Sequence, residues 1–368
     1  MYKDDLKYWI ALGMVKGIGR GTYKALLDAF GEPRLVFESP DYDSFGGIRG
    51  DILLGIKGFK DWGRVEDEIA LIDKAGVKIV TIKDKEYPAI LRSTYDPPLY
   101  LYMKGDLDCL SSNAVAIVGA RYPTHYGRRM AESIARDLAM AGVVVVSGMA
   151  RGCDSAAHIG ALSSKGATVA VLGTGVNIPY PKENKRLYDE IVESGLIISE
   201  YPMGTQPYPA NFPQRNRIIS GLSLGVLVVE ASQRSGALIT AGCALDCGRE
   251  VFALPGNVTS MKSMGTNRLI KDGAKLVENY MDIMESLSLD RRPKFDGQEE
   301  DAFKEPFKGL EGDEKMIVGV LPDDEALTVD RIIQRTGLPT QRVLSILLDM
   351  ELKGFIQQYP GKFFARRL

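Results

Sequence analysis

Six stretches of apolar residues return along the middle of this chain at a nearly constant interval, and they decide its fold class. They are AVAIVGA at 114–120, VVVVSGM at 143–149, TVAVLGTG at 168–175, LIISEY at 196–201, GVLVVEA at 225–231 and EVFALPG at 250–256. Each is apolar at successive positions, so both faces of the strand need cover. That is the condition of a parallel sheet with helices on either side. Gaps of about 25 to 30 residues between starts leave room for one crossover helix each. The expectation is an α/β fold: a Rossmann-like, doubly wound parallel sheet over residues 76–287. KIVTI (78–82) and LYLYMKG (99–105) add strands before the repeat begins.

The flanks read differently. Residues 1–75 are short helices broken by glycine, and Val15-Lys16-Gly17-Ile18-Gly19 before a helix Thr22–Phe30 reads as a helix-hairpin-helix, SAM-like domain. In that motif the glycines allow a tight turn that offers backbone N–H groups to a phosphate. A purely structural hairpin fits the same residues. Residues 288–312 are charged and aperiodic and read as a linker. Residues 313–368 give three helices and a hairpin turning at Pro360-Gly361, a winged helix-turn-helix. Its recognition helix, Thr340–Lys353, offers Arg342 but also Asp349 and Glu351, a poor surface for phosphates.

Bulk properties narrow the class. At 368 residues the chain has room for two or three domains, and 45% hydrophobic with 26% charged residues is ordinary for a soluble protein. Its 46 basic and 48 acidic residues leave a net charge of −2, so a polyanion surface has to be built locally. Met1–Leu12 carries Lys3, Asp4, Asp5 and Lys7 in place of an apolar run, and no stretch is long enough to span a bilayer. Neither a signal peptide nor a membrane partner is expected. Four cysteines in a chain of this length point to the cytoplasm. Cys243 and Cys247 lie one helical turn apart, but with two histidines in all they read as packing residues, and no metal is expected.

In doubly wound sheets, ligands bind beyond the carboxyl ends of the strands where the strand order reverses. In the common order the first and fourth strands of the repeat flank that crevice. Arg121 ends the first strand, Arg151 follows the second, Lys182, Lys185 and Arg186 follow the third, and Arg215 and Arg217 follow the fourth. All seven belong to one edge, which gives a nearly neutral chain a positive groove. Tyr180, Tyr201, Tyr208 and Phe212 are interleaved with them, and aromatic platforms beside cations describe a single-strand binder. Tyrosines next to prolines are also common loop anchors. Downstream, a strand ending in Glu230 leads to a small-residue helix start at Ser235 and Gly236, suited to holding an anion on backbone N–H groups.

Enzymatic readings find less support. The turn after the first strand lacks G-x-G-x-x-G spacing, and Ser147-Gly148 stands where a ribose-binding acid belongs, so no dinucleotide cofactor is expected. There is no G-x-x-x-x-G-K-[ST], and His125 and His158 both fall in predicted helices. Asp154 and Glu230 are available as carboxylates, or as a helix cap and an arginine holder.

The runs AIVGAR, SGMARGCDSAAH, YPKEN, SEYP, FPQRNRIISGLS, VVEA, SGALITA, VFALPGN and GTNRLIKDGA, in that order, closely resemble the DNA-processing protein A family (DprA, also called Smf). The resemblance implies a bacterial cytoplasmic protein that binds single-stranded DNA and loads the RecA recombinase during natural transformation. It implies no enzymatic activity, no cofactor, and a homodimer made through the Rossmann-like domain. Carried onto this chain, the family's glycine-x-arginine turn falls on Gly119 and Arg121, with Arg121 the main phosphate contact. Ser147, Gly148, Arg151, Gly152 and Asp154 shape the pocket. Lys185, aided by Arg186, supplies the basic position of the asparagine-led helix, and Arg215, Asn216 and Arg217 form the rim. Gly265–Leu276 contributes to dimerisation and recombinase contact. The alternative is a nucleotide-processing enzyme of the phosphoribohydrolase type, whose proline-glycine-glycine run is replaced here by Ser235-Gly236-Ala237-Leu238. A transcription factor acting through the winged helix is a third class.

Overall fold

A computed structural model describes residues 3–39, 48–289, 310–322, 326–359 and 361–366. Most of the expected linker, 290–309, and Pro360 of the expected hairpin turn lie outside them. The described residues form two compact units.

The first unit opens with five helices: α1 (Lys3–Met14), α2 (Arg20–Phe30), α3 (Pro33–Glu38), α4 (Gly50–Lys57) and α5 (Trp62–Lys74). The α1–α2 turn passes through Gly17 at φ +87°, a value that only glycine adopts without strain. Pro33 starts α3, where its missing N–H costs no helical hydrogen bond. Leu12, Val15, Tyr23, Leu26, Val36, Ile52 and Ile56 close a small core among these helices.

Next come β1 (Lys78–Thr81), α6 (Ala89–Arg92), β2 (Tyr100–Gly105), β3 (Ala114–Val118), α7 (His125–Met140), β4 (Val144–Ser147) and α8 (Cys153–Ser163). The chain continues through β5 (Thr168–Leu172), α9 (Lys185–Ser194), β6 (Leu196–Ser199), α10 (Asn211–Gly221), β7 (Gly225–Val228) and α11 (Gly236–Asp246). It ends with β8 (Glu250–Ala253), α12 (Met264–Lys271), β9 (Lys275–Leu276) and α13 (Tyr280–Ser286). The strands form one nine-stranded sheet in the order β1-β2-β6-β5-β4-β3-β7-β8-β9. Each of the six apolar runs supplies one of the strands β3 to β8, all paired in parallel, and β3 to β7 are buried at every residue. The leading strands β1 and β2 are antiparallel to their neighbours, and β2 covers the edge of β6.

This order corrects one expectation. The chain places β6 on the same side as β4 and β5, so the order reverses between β3 and β7, the first and fifth strands of the repeat. The fourth strand lies three places from the reversal, next to β2.

His158 of α8 is fully buried, its Nδ1 2.7 Å from the Thr168 hydroxyl, which in turn donates to the Val145 carbonyl at 2.7 Å. Burial, helped by the Arg215 charge, lowers its pKa to about 3. The unfolded chain therefore takes up a proton near pH 6.5 that the folded state refuses. The stability from a neutral His158 is complete above that pH and falls as the pH drops from 6.5 toward 3. Between pH 7 and pH 5, chemical denaturation is expected to show a loss on the order of 2 kcal/mol in the wild type that His158→Asn lacks.

The second unit takes in Tyr122–Met130, with the start of α7, and contains α14 (Asp313–Val320), β10 (Leu327–Thr328), α15 (Val329–Thr336), α16 (Thr340–Leu352), β11 (Ile356–Tyr359) and β12 (Phe363–Arg366), with strand order β10-β12-β11. Thr328 caps α15, and Gly337 ends it at φ +68°. On α16, the recognition helix of the winged helix-turn-helix, Arg342 is paired with Asp313 at 2.9 Å, while Leu344, Leu348 and Leu352 are exposed.

Candidate nucleic-acid interface

The reversal point brings the loops after β3 and β7 together. A Cβ on Gly119 would lie 2.6 Å from the Cys153 Sγ and 3.3 Å from the Glu230 backbone nitrogen, so only glycine lets α8 begin this close to the strand end. The Cys153 N–H donates to the Ala120 carbonyl at 3.2 Å and fixes that approach. Arg121 follows, exposed, with no hydrogen-bond or ion-pair partner among the described residues. Its charge reaches Asp154 and Arg215.

Behind Arg121 the loop after β4 is held from within. It passes through Met149 at φ +61° and Gly152 at φ +78°. Asp154 accepts from the Ala150 N–H at 3.3 Å. Burial raises the pKa of this carboxyl, and Arg215 and the Gly148 and Ala150 N–H groups oppose the rise. Its role is to hold the loop.

Three expected site residues are placed elsewhere. Arg215 is 4% exposed and does not reach the rim. Its Nη1 donates to the Gly148 carbonyl at 2.7 Å and to the Val171 carbonyl, and its guanidinium lies where a Cβ on residue 148 would be. Burial lowers its pKa to about 10 against the pull of Asp154. Arg217 points away to Glu200 at 2.5 Å and Asp96 at 3.4 Å, its charge already matched. Residues two apart on a helix face different sides, so α10 cannot aim both arginines at one groove. Asn216, between them, is half-buried. The buried Ser147 hydroxyl donates its one proton to the Ile117 carbonyl at 2.6 Å, joining β4 to β3 and leaving no donor for a phosphate.

The remaining basic positions are collected by one asparagine. Asn184 ends a 3-10 turn, Lys182–Asn184, and its Nδ2 donates to the Met149 carbonyl and the Ser155 hydroxyl, both at 2.9 Å. That contact joins the start of α9 to the loop after β4, so Lys182, Lys185 and Arg186 share an edge with Arg151. Arg151 is paired with Glu183, Lys185 with Asp189 at 2.6 Å, and Arg186 with Glu190 at 2.9 Å. These pairs are exposed, and such pairs are worth about 0–1 kcal/mol, so a phosphate can compete for each cation. Lys182 is exposed and has no such partner among the described residues.

Phe212 packs against Gly173 and lies 5.4 Å, ring to ring, from Tyr180, which with Tyr208 is exposed. Ser235 accepts the Ala237 N–H at 3.3 Å and caps α11, while Gly236 beside it is exposed. Lys262 was not among the expected residues. Its carbonyl accepts from the Ala231 N–H at 2.7 Å, and its charge reaches Cys153 beneath Gly119. The available signal was its place after β8, at the same end of the sheet. Among the described residues no group of three or more His, Cys, Asp or Glu side chains is placed to hold a metal ion.

The sequence pattern of the DNA recombination-mediator protein A family matches residues 78–288, the whole sheet. The chain belongs to that family. The DprA winged helix pattern matches residues 302–362. Among family members, Protein Smf of Escherichia coli K12 is 39% identical over 310 residues, 82% of this chain and 81% of its own length. DNA processing protein DprA of Streptococcus pneumoniae R6 is 47% identical over 204 residues, 55% of this chain and 72% of its own. The X-ray structure of DprA from Streptococcus pneumoniae superposes with TM-score 0.65 at 36% identity, covering 76% of this chain and 97% of that one. A Helicobacter pylori DNA processing protein A, described for its unique single-stranded DNA binding mode, superposes with TM-score 0.52 at 33% identity over 57% of this chain and 96% of its own.

Proposed function

We propose that this chain binds single-stranded DNA along the strand-end crevice without catalysis, and loads the RecA recombinase onto it during DNA uptake in the cytoplasm. The observation that carries this reading is Arg121: an exposed cation, unpaired among the described residues, at the point where the strand order reverses. Gly119, Gly148, Gly152 and Asp154 build the loops around it, and Arg151, Lys182, Lys185 and Arg186 extend the positive edge. Phe212 and the exposed Tyr180 and Tyr208 supply faces for unpaired bases. The family, and the single-strand binding described for the Helicobacter relative, support the same reading. Binding alone suits the chemistry present, since Ser147, Asp154 and His158 are each committed to an internal hydrogen bond.

The homodimer would form through the segment Gly265–Leu276 of the sheet domain. Met264, just before it, and Leu276 at its end are 40% and 48% exposed, and Val258 and Met261 nearby are more so. Gly265 and Thr266 are buried and anchor the segment to its own domain.

Fluorescence anisotropy with labelled oligo-dT and a matched duplex, over a salt series, tests the binding. Tighter binding to the single strand, weakening linearly in log salt, is the expected result. Equal, salt-insensitive binding to both would refute it. Lys185→Ala should lower the slope by about 0.7, the value for one phosphate contact on a single strand. An unchanged slope would show that Lys185 keeps Asp189 as its partner. Recombinase loading is read as faster RecA filament growth on single-stranded DNA, and Arg121→Ala should abolish the gain.

A further inference from the structure

The loop leaving β6 carries Tyr208, 58% exposed, and runs into α10. It is held from two sides. On one, the Gly204 N–H donates to Asn177 Oδ1 at 2.8 Å, and the Gly175 N–H donates to the Thr205 carbonyl at 2.9 Å. On the other, the Met203 N–H donates to Glu68 Oε1 at 2.8 Å, and the same oxygen accepts from the Tyr102 hydroxyl at 2.8 Å. Glu68 sits on α5 and is 6% exposed. A carboxylate buried this deeply is tolerated only where donors satisfy it, and here one of them is the backbone of the loop. Met203 itself shares a core with Ile10 and Ala11 of α1 and Val65 of α5.

We propose that Glu68 is a positioning residue for the DNA groove: from the N-terminal helices it fixes Met203, and through it the placement of the Tyr208 loop against unpaired bases. The proposal rests on the single-strand reading above. It makes the helical segment part of the groove's support, although none of the groove's cations lies on it.

The full chain is compared with Glu68→Gln, Glu68→Asp and Glu68→Leu by oligo-dT anisotropy over a salt series and by amide hydrogen exchange. Glutamine keeps an acceptor oxygen within reach of both donors and should bind like the wild type. Leucine removes the acceptor and should weaken binding about five- to tenfold. The salt slope should stay unchanged because no cation is removed. Exchange should quicken at residues 203–208 while the amides of β3 to β7 keep their protection. Aspartate, one methylene shorter, should fall between, and decides the matter if the leucine variant does not fold. Wild-type affinity in a folded leucine or aspartate variant, or weaker binding with unaltered exchange in the loop, overturns the proposal. Arg121→Ala separates the two readings. If it binds normally, the groove itself is wrong. If it binds weakly while the Glu68 variants bind normally, only the positioning role is.

Discussion

Arg121→Ala is expected to lower affinity for oligo-dT by about tenfold or more at low salt while leaving the unfolding curve where it was. The side chain is exposed and holds no carboxylate or carbonyl among the described residues, so truncation strands no buried charge. The salt slope should fall by about 0.7, as one phosphate fewer is neutralised. Arg151→Ala should cost less, because its charge is already shared with Glu183. A folded Arg121→Ala protein with wild-type affinity would remove the reversal point as the binding site, whatever other cations contribute.

Arg215→Ala is expected to do the opposite, destabilising the fold by roughly 2–6 kcal/mol, since two buried carbonyls each lose a charged donor at about 1–3 kcal/mol. It removes the positive charge that opposes the rise in the Asp154 pKa and strips the donor from the Gly148 and Val171 carbonyls. Arg215→Lys should rescue only in part, since a compact ammonium keeps the charge but not the broad guanidinium that packs against Gly148 while its Nη1 bonds the loop after β4 to β5. Chemical denaturation measures the drop in stability. A variant with wild-type stability that bound DNA weakly would return Arg215 to the phosphate contacts.

These two arginines show what the sequence could and could not reveal. The apolar runs announced the strands β3 to β8, because burial on both faces leaves a pattern that does not depend on neighbours. Strand order leaves no such trace. Nothing in LIISEY says that β6 continues outward past β5, or that LYLYMKG will cover its edge, so the reversal was expected one crossover too early. The motif FPQRNR marked both arginines, but helical periodicity, available from the same residues, already separates positions two apart. Asn184, Lys262 and Glu68 were missed for a different reason. Each acts through a backbone group more than thirty residues away along the chain, a partner that no local window contains. The family motifs, by contrast, were contiguous and legible, and the match to residues 78–288 bears them out.

The ion pairs along the edge bear on how a strand would leave. Arg151, Lys185 and Arg186 each have a carboxylate of this chain beside them. At these three positions a phosphate that departs is replaced at once by a carboxylate of this chain, so none of the three cations is left bare and each contact can be surrendered separately. A bound strand would then peel away a few nucleotides at a time, leaving a stretch for an incoming protein to occupy before the rest has let go.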